Sequence, residues 1–351
     1  MTVRGLVYAE PGAAPALEEI VLDEPGENEV RVRVSACGVC HTDLHVVESG
    51  GWHMRFPILL GHEAAGVVES VGGGVRHVVP GDPVVIAWHV PCGECRNCAR
   101  GDERRCSNYL RGARKMHRAT DGAQLSPVLR TGGFADALVV HAACAVKMPA
   151  ELPLEQACLL ACGFSTGAGA ALWSTPVQPG SSVAVIGCGG VGLAVIQGAR
   201  LAGAERIVAI DTVPEKLELA LELGATEAVE AGDDVADIDF AYSAIGAPAG
   251  LVAAVRMLAY GGTACLVGVP PSGRTLDLDV EMDLFARHAT IAVSHGGDVV
   301  PRQDLPFLAH AALDGKLDLE KFVTATCSLE EVAAALEALH APTGVRTVAV
   351  L

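Results

Sequence analysis

The segment from residue 181 to residue 211 constrains the fold more than any other part of this 351-residue chain. It begins with the apolar run SSVAVIG, continues through a glycine-rich turn into a helix-like stretch, and ends in a second apolar run, RIVAID, at 206–211. Buried strands that alternate with helices are typical of a parallel sheet with right-handed crossovers. The sequence therefore predicts a doubly wound parallel sheet in this part of the chain.

The alternation continues beyond this segment, with one irregular connection. PEKLELALELG has proline at a position that suits the start of a helix and ends at Gly224. A strand DFAYSAIG, a helix over about 248–260 and a strand TACLVGV follow. The link at 231–238 has only about eight residues, whereas a parallel crossover usually needs about a dozen or more. We expect its crossover helix to be absent or reduced to a turn.

The glycine-rich turn fits a dinucleotide-binding motif. Residues 187–192 read Gly-Cys-Gly-Gly-Val-Gly, which matches G-x-G-x-x-G between a strand and a helix. The first glycine permits a tight turn, the second lets the backbone approach a pyrophosphate, and the third lets the helix pack closely on the strand. Amides at the start of the helix favour phosphate. The candidate cofactor-binding residues here are Gly187, Gly189, Gly190, Val191 and Gly192.

An acidic residue follows this motif at a distance that bears on cofactor choice. Asp211 stands nineteen residues after Gly192, at the end of the second strand. A carboxylate there is placed to accept hydrogen bonds from ribose hydroxyls, and it would repel a 2′-phosphate. The sequence therefore predicts NAD as the cofactor in preference to NADP.

The twelve cysteines are unevenly distributed, and four of them form one compact set. Cys92, Cys95, Cys98 and Cys106 have the spacing C-x2-C-x2-C-x7-C in a polar segment. Four thiolates complete a tetrahedral shell around zinc, and a closed shell indicates a structural site. An iron–sulfur cluster and unmetallated thiols are the alternatives. Six others lie among apolar residues, where we expect small buried side chains: Cys37, Cys144, Cys158, Cys188, Cys265 and Cys327.

A second set of metal-ligand residue types is spread along the first half of the chain. GVCHTDLH contains Cys40, GHEAAG contains His62 and Glu63, and ACGFSTG contains Cys162. Three protein ligands would leave a fourth position for water or substrate, as in catalytic zinc sites. From spacing alone, His62 could equally be a core histidine.

The first half of the chain and its C-terminal end have strand-like and helical segments of a different kind. NEVRVRVS at 28–35 alternates charged and apolar residues, and GVVESV, PVVIAW and FADALVV continue as short strands. A mostly-β or mixed domain is expected to about residue 160. Near the C-terminus, SLEEVAAALEALH predicts a helix at 328–340 with Ser328 and Glu331 in a capping box, followed by a strand RTVAVL.

Composition excludes several classes of partner. The chain has 25 Lys and Arg against 42 Asp and Glu, a net charge of −17, so a clustered basic surface for nucleic acid or anionic membrane is not expected. No apolar run reaches the roughly 18–20 residues of a bilayer span. The N-terminal residues lack a signal-peptide pattern. These features predict a soluble, cytoplasmic protein without nucleic-acid or membrane partners.

Over nearly its whole length the sequence resembles the zinc-containing medium-chain alcohol dehydrogenases. The resemblance lies in GVCHTD, GHEAAG, the four-cysteine set, CGFSTG, GCGGVG, the Asp211-x4-Lys216 pair and GVRTV. GHEAAGVVESVG and GVP are most similar to the S-(hydroxymethyl)mycothiol, or formaldehyde, dehydrogenase branch. The resemblance implies an α/β fold with two parts and an active site in the cleft. A GroES-like, mostly-β catalytic domain covers 1–163 and 295–351, with a structural-zinc lobe at about 91–107, and a Rossmann NAD-binding domain covers 164–294.

The resemblance also implies a catalytic zinc site. Cys40, His62 and Cys162 match the zinc ligands of the family, and Glu63 matches a residue beside them. Asp43 matches a residue that hydrogen-bonds the ring of the ligand histidine and fixes its orientation. Together with the four-cysteine lobe, this gives two zinc ions per subunit. Dimers or tetramers are expected from the same resemblance, and the apolar strand TIAVS near 290–294 is a candidate contact.

Further roles are implied for residues around the reacting groups. Thr42 matches the residue that takes the proton of the alcohol, and His45 matches the one that passes it to solvent by way of the cofactor ribose. Trp52 and Trp88 are expected to line a substrate channel or to pack in the core. His295 stands where relatives often have an aromatic or apolar residue, and it is either an interface residue or a feature of a polar substrate site.

Cofactor contacts outside the glycine motif come from the resemblance as well. His41 and Arg346 match residues that contact the pyrophosphate, and Lys216 matches one beside the adenosine ribose. Val269, in the GVP segment, is included among the expected cofactor-binding residues.

The sequence thus predicts an NAD-dependent zinc alcohol dehydrogenase of the EC 1.1.1 type that acts on a small primary alcohol or its aldehyde. The substrate is either a thiol hemithioacetal such as S-(hydroxymethyl)mycothiol or a dedicated alcohol or aldehyde of a biosynthetic route. A non-catalytic dinucleotide-binding sensor would lack a zinc ligand or part of the proton relay, and all of these residues are present. An NADPH-dependent reductase conflicts with Asp211.

Overall fold

A computed structural model describes residues 1–110, 115–341 and 344–351. These residues divide into two compact units. The first unit comprises Met1–Cys162, Val300–Gly315 and Leu319–Leu351, and the second comprises Gly163–Val299 and Lys316–Asp318. The domain boundaries given above stay predictions.

The strands are β1 (Thr2–Tyr8), β2 (Ala16–Leu22), β3 (Glu29–Gly38), β4 (Ile58–Leu59), β5 (Glu63–Val71), β6 (Pro83–Ile86), β7 (Met116–Arg118), β8 (Ser126–Pro127), β9 (Ala137–His141), β10 (Ala145–Lys147), β11 (Ser182–Ile186), β12 (Arg206–Asp211), β13 (Glu227–Glu230), β14 (Ile238–Ser243), β15 (Leu258–Leu266), β16 (Thr290–Val293), β17 (Val323–Cys327) and β18 (Arg346–Val350).

The α-helices are α1 (His41–Glu48), α2 (Arg96–Ala99), α3 (Leu154–Ala157), α4 (Gly163–Gly169), α5 (Gly190–Ala202), α6 (Pro214–Glu222), α7 (Pro248–Arg256), α8 (Pro301–Leu313) and α9 (Val332–Glu337). Short 3₁₀ turns include Glu103–Arg105, Val128–Arg130, Cys158–Ala161 and Leu329–Glu331, and π-helical turns occur at Ala170–Ser174 and Val280–Phe285.

The first unit is built on two mainly antiparallel sheets. One has the order β7-β2-β1-β4-β8, and the other has β10-β6-β5-β3-β18-β17 with β9 also paired to β3. The predicted strand at 28–35 is confirmed, because β3 alternates as its sequence does and buries Val30, Val32 and Val34. The C-terminal strand β18 lies between β3 and β17. The C-terminal strand therefore extends the sheet that contains β3, β5 and β6.

The second unit contains the predicted parallel sheet. Its order is β13-β12-β11-β14-β15-β16, and every pairing is parallel. Gly187 follows β11 with φ of 92°, and a Cβ on Gly192 would stand 1.8 Å from the carbonyl oxygen of Gly187. The turn therefore requires glycine at both positions, as the motif predicts.

Two predictions about the connections in this sheet have different outcomes. The short link is confirmed, because residues 231–237 between β13 and β14 form turns and irregular structure and no helix. The predicted helix over 248–260 is wrong at its end, since α7 stops at Arg256. Leu258 pairs with Ile238 of β14. Sheet hydrogen bonding thus takes up residues that the local sequence would allow in a helix.

The C-terminal helical region confirms its predicted start. Residues Leu329–Glu331 and α9 follow Ser328, and the capping box is present, with the Ser328 amide donating to the Glu331 carboxylate at 2.8 Å. The last turn, Ala338–His340, is 3₁₀. The helical extent predicted for 328–340 is therefore matched by three successive helical segments.

Within the described ranges, no single helix is long and apolar enough to cross a bilayer. The consecutive segments Leu154–Ala161 and Gly163–Ser174 meet that length and composition only when they are counted together across a bend.

We expect Tyr242→Phe to lower the free energy of unfolding. Tyr242 is fully buried, and its hydroxyl donates to the Thr175 carbonyl oxygen at 2.9 Å and lies 3.0 Å from the Thr175 hydroxyl. Leaving buried partners unpaired costs about 1–3 kcal/mol. Denaturant unfolding followed by circular dichroism measures the loss. Tyr260→Phe is the control, because that ring is 80% exposed, and equal losses in the two variants would contradict the prediction.

Candidate active site

Four potential ligands from distant parts of the first unit converge on one point. A sulfur, ring-nitrogen or carboxylate atom from each of Cys40, His62, Glu63 and Cys162 lies within 4.8 Å of the others. Cys40 directly precedes α1, His62 and Glu63 stand at the start of β5, and Cys162 follows the turn Cys158–Ala161. The structure therefore brings together the residues that the sequence suggested for a catalytic metal.

The ring of His62 is held from one side by Asp43. Nδ1 of His62 lies 2.8 Å from Oδ2 of Asp43, and both side chains are fully buried. The other carboxylate oxygen of Asp43 accepts the amide of Gly61 at 2.8 Å. Among the described residues, Nε2 of His62 has no hydrogen-bond partner although it is buried. A buried nitrogen beside two thiols is the donor set that zinc prefers, so these residues fit a zinc ion.

The two sulfur ligands interact directly. The hydrogen bond from the Cys162 thiol lowers the pKa of Cys40 well below its ordinary value, and the charges of His62 and Arg346 act in the same direction. A thiolate is the form in which cysteine binds a metal. The pocket therefore favours the ionised form of Cys40 even before a cation is considered.

Glu63 faces a buried cation on the C-terminal strand. Nη2 of Arg346 lies 3.4 Å from Oε1 of Glu63, and Nη1 donates to the Val39 carbonyl oxygen at 3.0 Å. Arg346 is 9% exposed. Burial lowers the pKa of Arg346, but Glu63, Cys40 and Cys162 raise it, and the net shift is upward. The guanidinium thus stays charged and offsets negative charge at the cluster; the pyrophosphate contact stays a prediction.

Helix α1 carries the residues expected to move a proton. Thr42 is half-buried, whereas His41 and His45 are exposed, with their ring centroids 6.2 Å apart. Burial lowers the pKa of His41. Asp43, on the same turn, points into the cluster. One helical turn therefore presents a buried side chain to the metal ligands and polar groups at the surface.

The aromatic residues expected near the substrate differ in exposure. Trp52 is 45% exposed and has φ of 49°, a conformation that is uncommon for a bulky residue. Trp88 is 8% exposed, and its ring lies 4.3 Å from that of His89. His295, in the second unit, is exposed. Whether these residues meet a substrate stays a prediction.

The four-cysteine set forms a separate cluster in the first unit. Its members, Cys92, Cys95, Cys98 and Cys106, have sulfurs within 4.8 Å of one another. The Cys106 sulfur lies 3.6 Å from that of Cys92 and 3.9 Å from that of Cys95. A tetrahedron with Zn–S bonds of about 2.3 Å has sulfurs about 3.8 Å apart. The spacing therefore fits a closed zinc site.

Backbone amides support the sulfurs of this cluster. The Cys92 amide donates to the Cys106 sulfur at 3.3 Å, the Cys95 amide to the Cys92 sulfur at 3.3 Å, and the Cys98 amide to the Cys95 sulfur at 3.5 Å. The amides of Cys98 and Ser107 lower the pKa of Cys95 to about 5, the Cys98 amide most of all. Amides that point at sulfur favour thiolate, the metal-binding form.

Five of the six other cysteines are buried, as predicted: Cys37, Cys144, Cys158, Cys188 and Cys265. Burial raises the pKa of Cys144, Cys188 and Cys265 to about 12 each, which keeps them as inert thiols. The prediction is wrong for Cys327, which is only half-buried. It ends β17, a strand at the edge of its sheet that is largely exposed.

In the second unit, the glycine-rich turn and Asp211 are joined by hydrogen bonds. The Asp211 carboxylate accepts the amide of Cys188 at 2.7 Å and those of Thr212 and Val213 at 2.8 and 3.0 Å. A Cβ on Gly189 would meet no atom within 4 Å. The backbone at Gly189 is therefore open to a ligand, and the residues fit a dinucleotide.

Other expected cofactor residues differ in their surroundings. Gly190 is the first residue of α5, Lys216 is half-buried on α6, and Val269 is 61% exposed. Val269 follows β15 and leaves most of its apolar side chain exposed within its unit. These positions are compatible with the expected contacts, which stay predictions.

Sequence reasoning missed two features of the metal cluster. The amide of Gly61 fixes Asp43, but a backbone group has no sequence signature. The pairing of Glu63 with Arg346 joins residues from opposite ends of the chain. The sequence does place Glu63 and Arg346 at the starts of two apolar strands. Because buried charges in proteins are paired, this position could have indicated that the two residues need partners.

Comparison with known proteins agrees with this geometry. Residues 26–150 match the alcohol dehydrogenase GroES-like domain, and residues 190–312 match the zinc-binding dehydrogenase domain. The chain belongs to the zinc-binding alcohol dehydrogenases. It is 35% identical to alcohol dehydrogenase 1 of Trifolium repens, over 94% of this chain and 92% of the relative. It is 37% identical to an S-(hydroxymethyl)glutathione dehydrogenase of Escherichia coli, over 99% of each chain.

A solved structure of this family has the same fold. The alcohol dehydrogenase zinc-binding domain protein from Burkholderia ambifaria superposes with a TM-score of 0.93 at 34% identity, covering 100% of this chain and 99% of that one. The protein is therefore an oxidoreductase with a GroES-like part and a Rossmann-type part, as the sequence predicted.

Asp43→Asn is expected to weaken metal retention at the His62 cluster. The amide keeps the size of Asp43 but loses the charge that orients the His62 ring, and losing such a partner costs about 10- to 100-fold in metal affinity. Zinc release into a chromogenic chelator measures it.

The matched control is Asp82→Asn. The Asp82 carboxylate forms a 2.6 Å ion pair with Lys147 and does not belong to this cluster. The prediction is refuted if Asp82→Asn releases zinc as fast as Asp43→Asn.

Proposed function

We propose that this zinc-binding alcohol dehydrogenase transfers hydride between a primary alcohol and NAD. The observation that carries the proposal is the convergence of Cys40, His62 and Cys162 within 4.8 Å, beside a histidine nitrogen that no described residue satisfies. Those three residues would hold a zinc ion, with Glu63 beside it. The set Cys92, Cys95, Cys98 and Cys106 would hold the second zinc of the subunit.

Bound zinc would supply a Lewis acid that makes an alcohol easier to deprotonate, and NAD would accept the hydride. The protein's own residues orient and balance these groups. Asp43 fixes the His62 ring from behind. Arg346 offsets the negative charge of Glu63 and so lowers the net negative charge of the pocket.

The proton would leave by way of α1. The Thr42 hydroxyl is half-buried next to Cys40 and can accept the proton of the alcohol. His45, one turn later, is exposed and can pass it to water. A hydroxyl followed by an imidazole is a workable pair for moving a proton, because both groups can accept and donate one. His45 therefore connects the buried site with solvent.

NAD is proposed as the cofactor because of Asp211. Its carboxylate, held by three backbone amides at the end of β12, is fixed where ribose hydroxyls would donate hydrogen bonds to it, and a 2′-phosphate there would meet a negative charge. The amides of the turn, with Gly190 and Val191, would face the pyrophosphate. The remaining proposed contacts are His41, Lys216, Val269 and Arg346.

Asp211→Ser is expected to reduce the preference for NAD over NADP. Removing the carboxylate removes the repulsion of a 2′-phosphate, and a tenfold fall in the ratio of kcat/KM values corresponds to about 1.4 kcal/mol. Steady-state kinetics with both cofactors measures the ratio. Glu218→Ser, on the exposed side of α6, controls for the loss of one surface charge. An unchanged ratio in Asp211→Ser rules out this role.

For the substrate, we propose a hemithioacetal of formaldehyde with a low-molecular-weight thiol such as mycothiol. The support is the 37% identity with an S-(hydroxymethyl)glutathione dehydrogenase over 99% of the chain, together with the sequence resemblance to the mycothiol branch. The alternative is a specialised alcohol or aldehyde of a biosynthetic route, which the comparable similarity to a plant alcohol dehydrogenase supports. The two differ in their need for a thiol.

NADH formation with formaldehyde should require the added thiol. The purified protein is assayed with formaldehyde alone, with mycothiol and with glutathione, and simple primary alcohols are assayed in parallel. We expect turnover only when a thiol is present, because formaldehyde alone is a hydrate rather than a thiol adduct. Turnover of alcohols without thiol would favour the biosynthetic alternative. Absence of all turnover with both zinc sites filled would favour a specialised substrate, and it would reopen the alternative of a dinucleotide-binding sensor.

We further propose that two copies of the chain associate through the second unit. Strand β16 ends the parallel sheet, and Val293 and Ile291 on it are 65% and 37% exposed. Phe285 and Met282, on the preceding turn, are 84% and 62% exposed. No described strand pairs with the outer edge of β16, and an apolar sheet edge of this kind is a surface that proteins normally cover. A homodimer, or a tetramer built from it, would do so.

A further inference from the structure

We infer that the four-cysteine lobe, residues Cys92–Cys106, helps retain metal at the Cys40–His62–Cys162 site through helix α8, with Arg104 and Asp304 as positioning residues. The inference rests on the proposed function of the two clusters as zinc sites. Its physical basis is a chain of contacts within the first unit that runs from the lobe to Cys162.

The first contact is a two-pronged ion pair. Nη1 and Nη2 of Arg104 lie 2.6 and 3.2 Å from the two carboxylate oxygens of Asp304. The Asp304 side chain is only 8% exposed. Arginine that engages both oxygens of a carboxylate fixes direction as well as distance. The contact therefore fixes the orientation of the Asp304 carboxylate as well as its distance from Arg104.

A second ion pair lies beside it. Nη2 of Arg302 is 2.7 Å from a carboxylate oxygen of Glu103. The lobe thus contributes an acid, Glu103, and a base, Arg104, and α8 contributes the opposite charge to each pair. Exchanging partners would bring like charges together, so the pair of contacts allows one register of the lobe on the helix.

The lobe side of these contacts is tied directly to metal ligands. Glu103 and Arg104 belong to the 3₁₀ turn that ends at Arg105, immediately before Cys106, and the Cys106 amide donates to the Glu103 carbonyl oxygen at 3.1 Å. The Asn97 side-chain amide hydrogen-bonds the Arg105 carbonyl oxygen. An ion held by the four sulfurs would therefore order the turn that presents Arg104.

The helix side needs this support because α8 lacks one of its backbone hydrogen bonds. Pro306, inside the helix, has no amide to bond to the Arg302 carbonyl oxygen. Asp304 compensates in part, since its carboxylate accepts the amide of Val300 at 2.6 Å. That carboxylate is the one Arg104 holds. Loss of Arg104 would thus loosen the cap as well as the ion pair.

Helix α8 also packs against the turn that leads to Cys162. The helix buries Leu305 and Leu308 and packs against β10 and the turn Cys158–Ala161. That turn is fully buried and leads directly into Cys162. A shift of α8 would therefore reach a proposed metal ligand through packed side chains, which transmit displacement because protein interiors are close-packed.

The experiment measures how fast each cysteine becomes reactive in the zinc-loaded, full-length protein. Iodoacetamide and a chelator are added, and peptide mass spectrometry follows the alkylation of Cys162 separately from that of the lobe cysteines. In Arg104→Gln we expect Cys162 to be alkylated roughly tenfold faster than in the wild type, the effect of losing a supporting contact at a metal site. Hydrogen exchange of residues 154–163 should rise in parallel.

Arg105→Gln is the matched control. Its side chain is 65% exposed and, among the residues that the structure describes, forms an ion pair with Asp102 just before the turn, so Cys162 should react at the wild-type rate. If Arg104→Gln does not fold, Arg302→Gln removes the exposed partner of the second ion pair and should accelerate Cys162 to a smaller extent.

The inference is overturned if the lobe cysteines react faster in Arg104→Gln, or in Arg302→Gln where that variant is used, while Cys162 and residues 154–163 are unchanged. The inference is also overturned if Cys162 is alkylated as fast in Arg105→Gln as in Arg104→Gln. Failure of the proposed function would be seen differently: the wild-type protein would not oxidise alcohol or thiol adduct with NAD, whatever the alkylation rates.

Discussion

The buried contact between His62 and Asp43 is the interaction on which the rest of the first unit depends. Both side chains are fully buried, and burying charged or polar groups is costly unless each has a partner. Asp43 has the amide of Gly61 and the ring of His62, while the opposite nitrogen of His62 faces two thiols and Glu63. So many buried metal-binding groups can be accommodated because a bound cation would serve as their common partner.

Completing this cluster requires nearly every part of the first unit. Cys40 directly precedes α1, Asp43 belongs to α1, His62 and Glu63 stand at the start of β5, Cys162 follows a buried turn and Arg346 begins the last strand. The insertion of β18 between β3 and β17 is therefore needed for the chemistry as well as for the sheet. It places a buried cation against Glu63, where an isolated carboxylate would be destabilising.

The cysteines show how one residue type takes different roles according to its surroundings. Amides and a neighbouring thiol favour the ionised form at Cys40 and Cys95. Burial among apolar side chains has the opposite effect at Cys144 and Cys188. In the second unit, Asp211 is likewise defined by its amide partners, which hold it next to the glycine-rich turn. Local hydrogen bonding, more than residue identity, decides what each group can bind.

The sequence alone determined the features that depend on short segments. G-x-G-x-x-G after an apolar strand, the C-x2-C-x2-C-x7-C set, the capping box at Ser328 and the eight-residue link each express local geometry, which follows from spacing and backbone preference. Tertiary structure alone decided the rest. Helix α7 ends at Arg256 because Leu258 pairs with Ile238 in the sheet. Cys327 is partly exposed because its strand lies at a sheet edge. The pairs Glu63–Arg346 and Arg104–Asp304 join residues that are far apart in the chain. Such contacts form where the fold brings distant segments together, and no local pattern encodes which distant residue will be the partner.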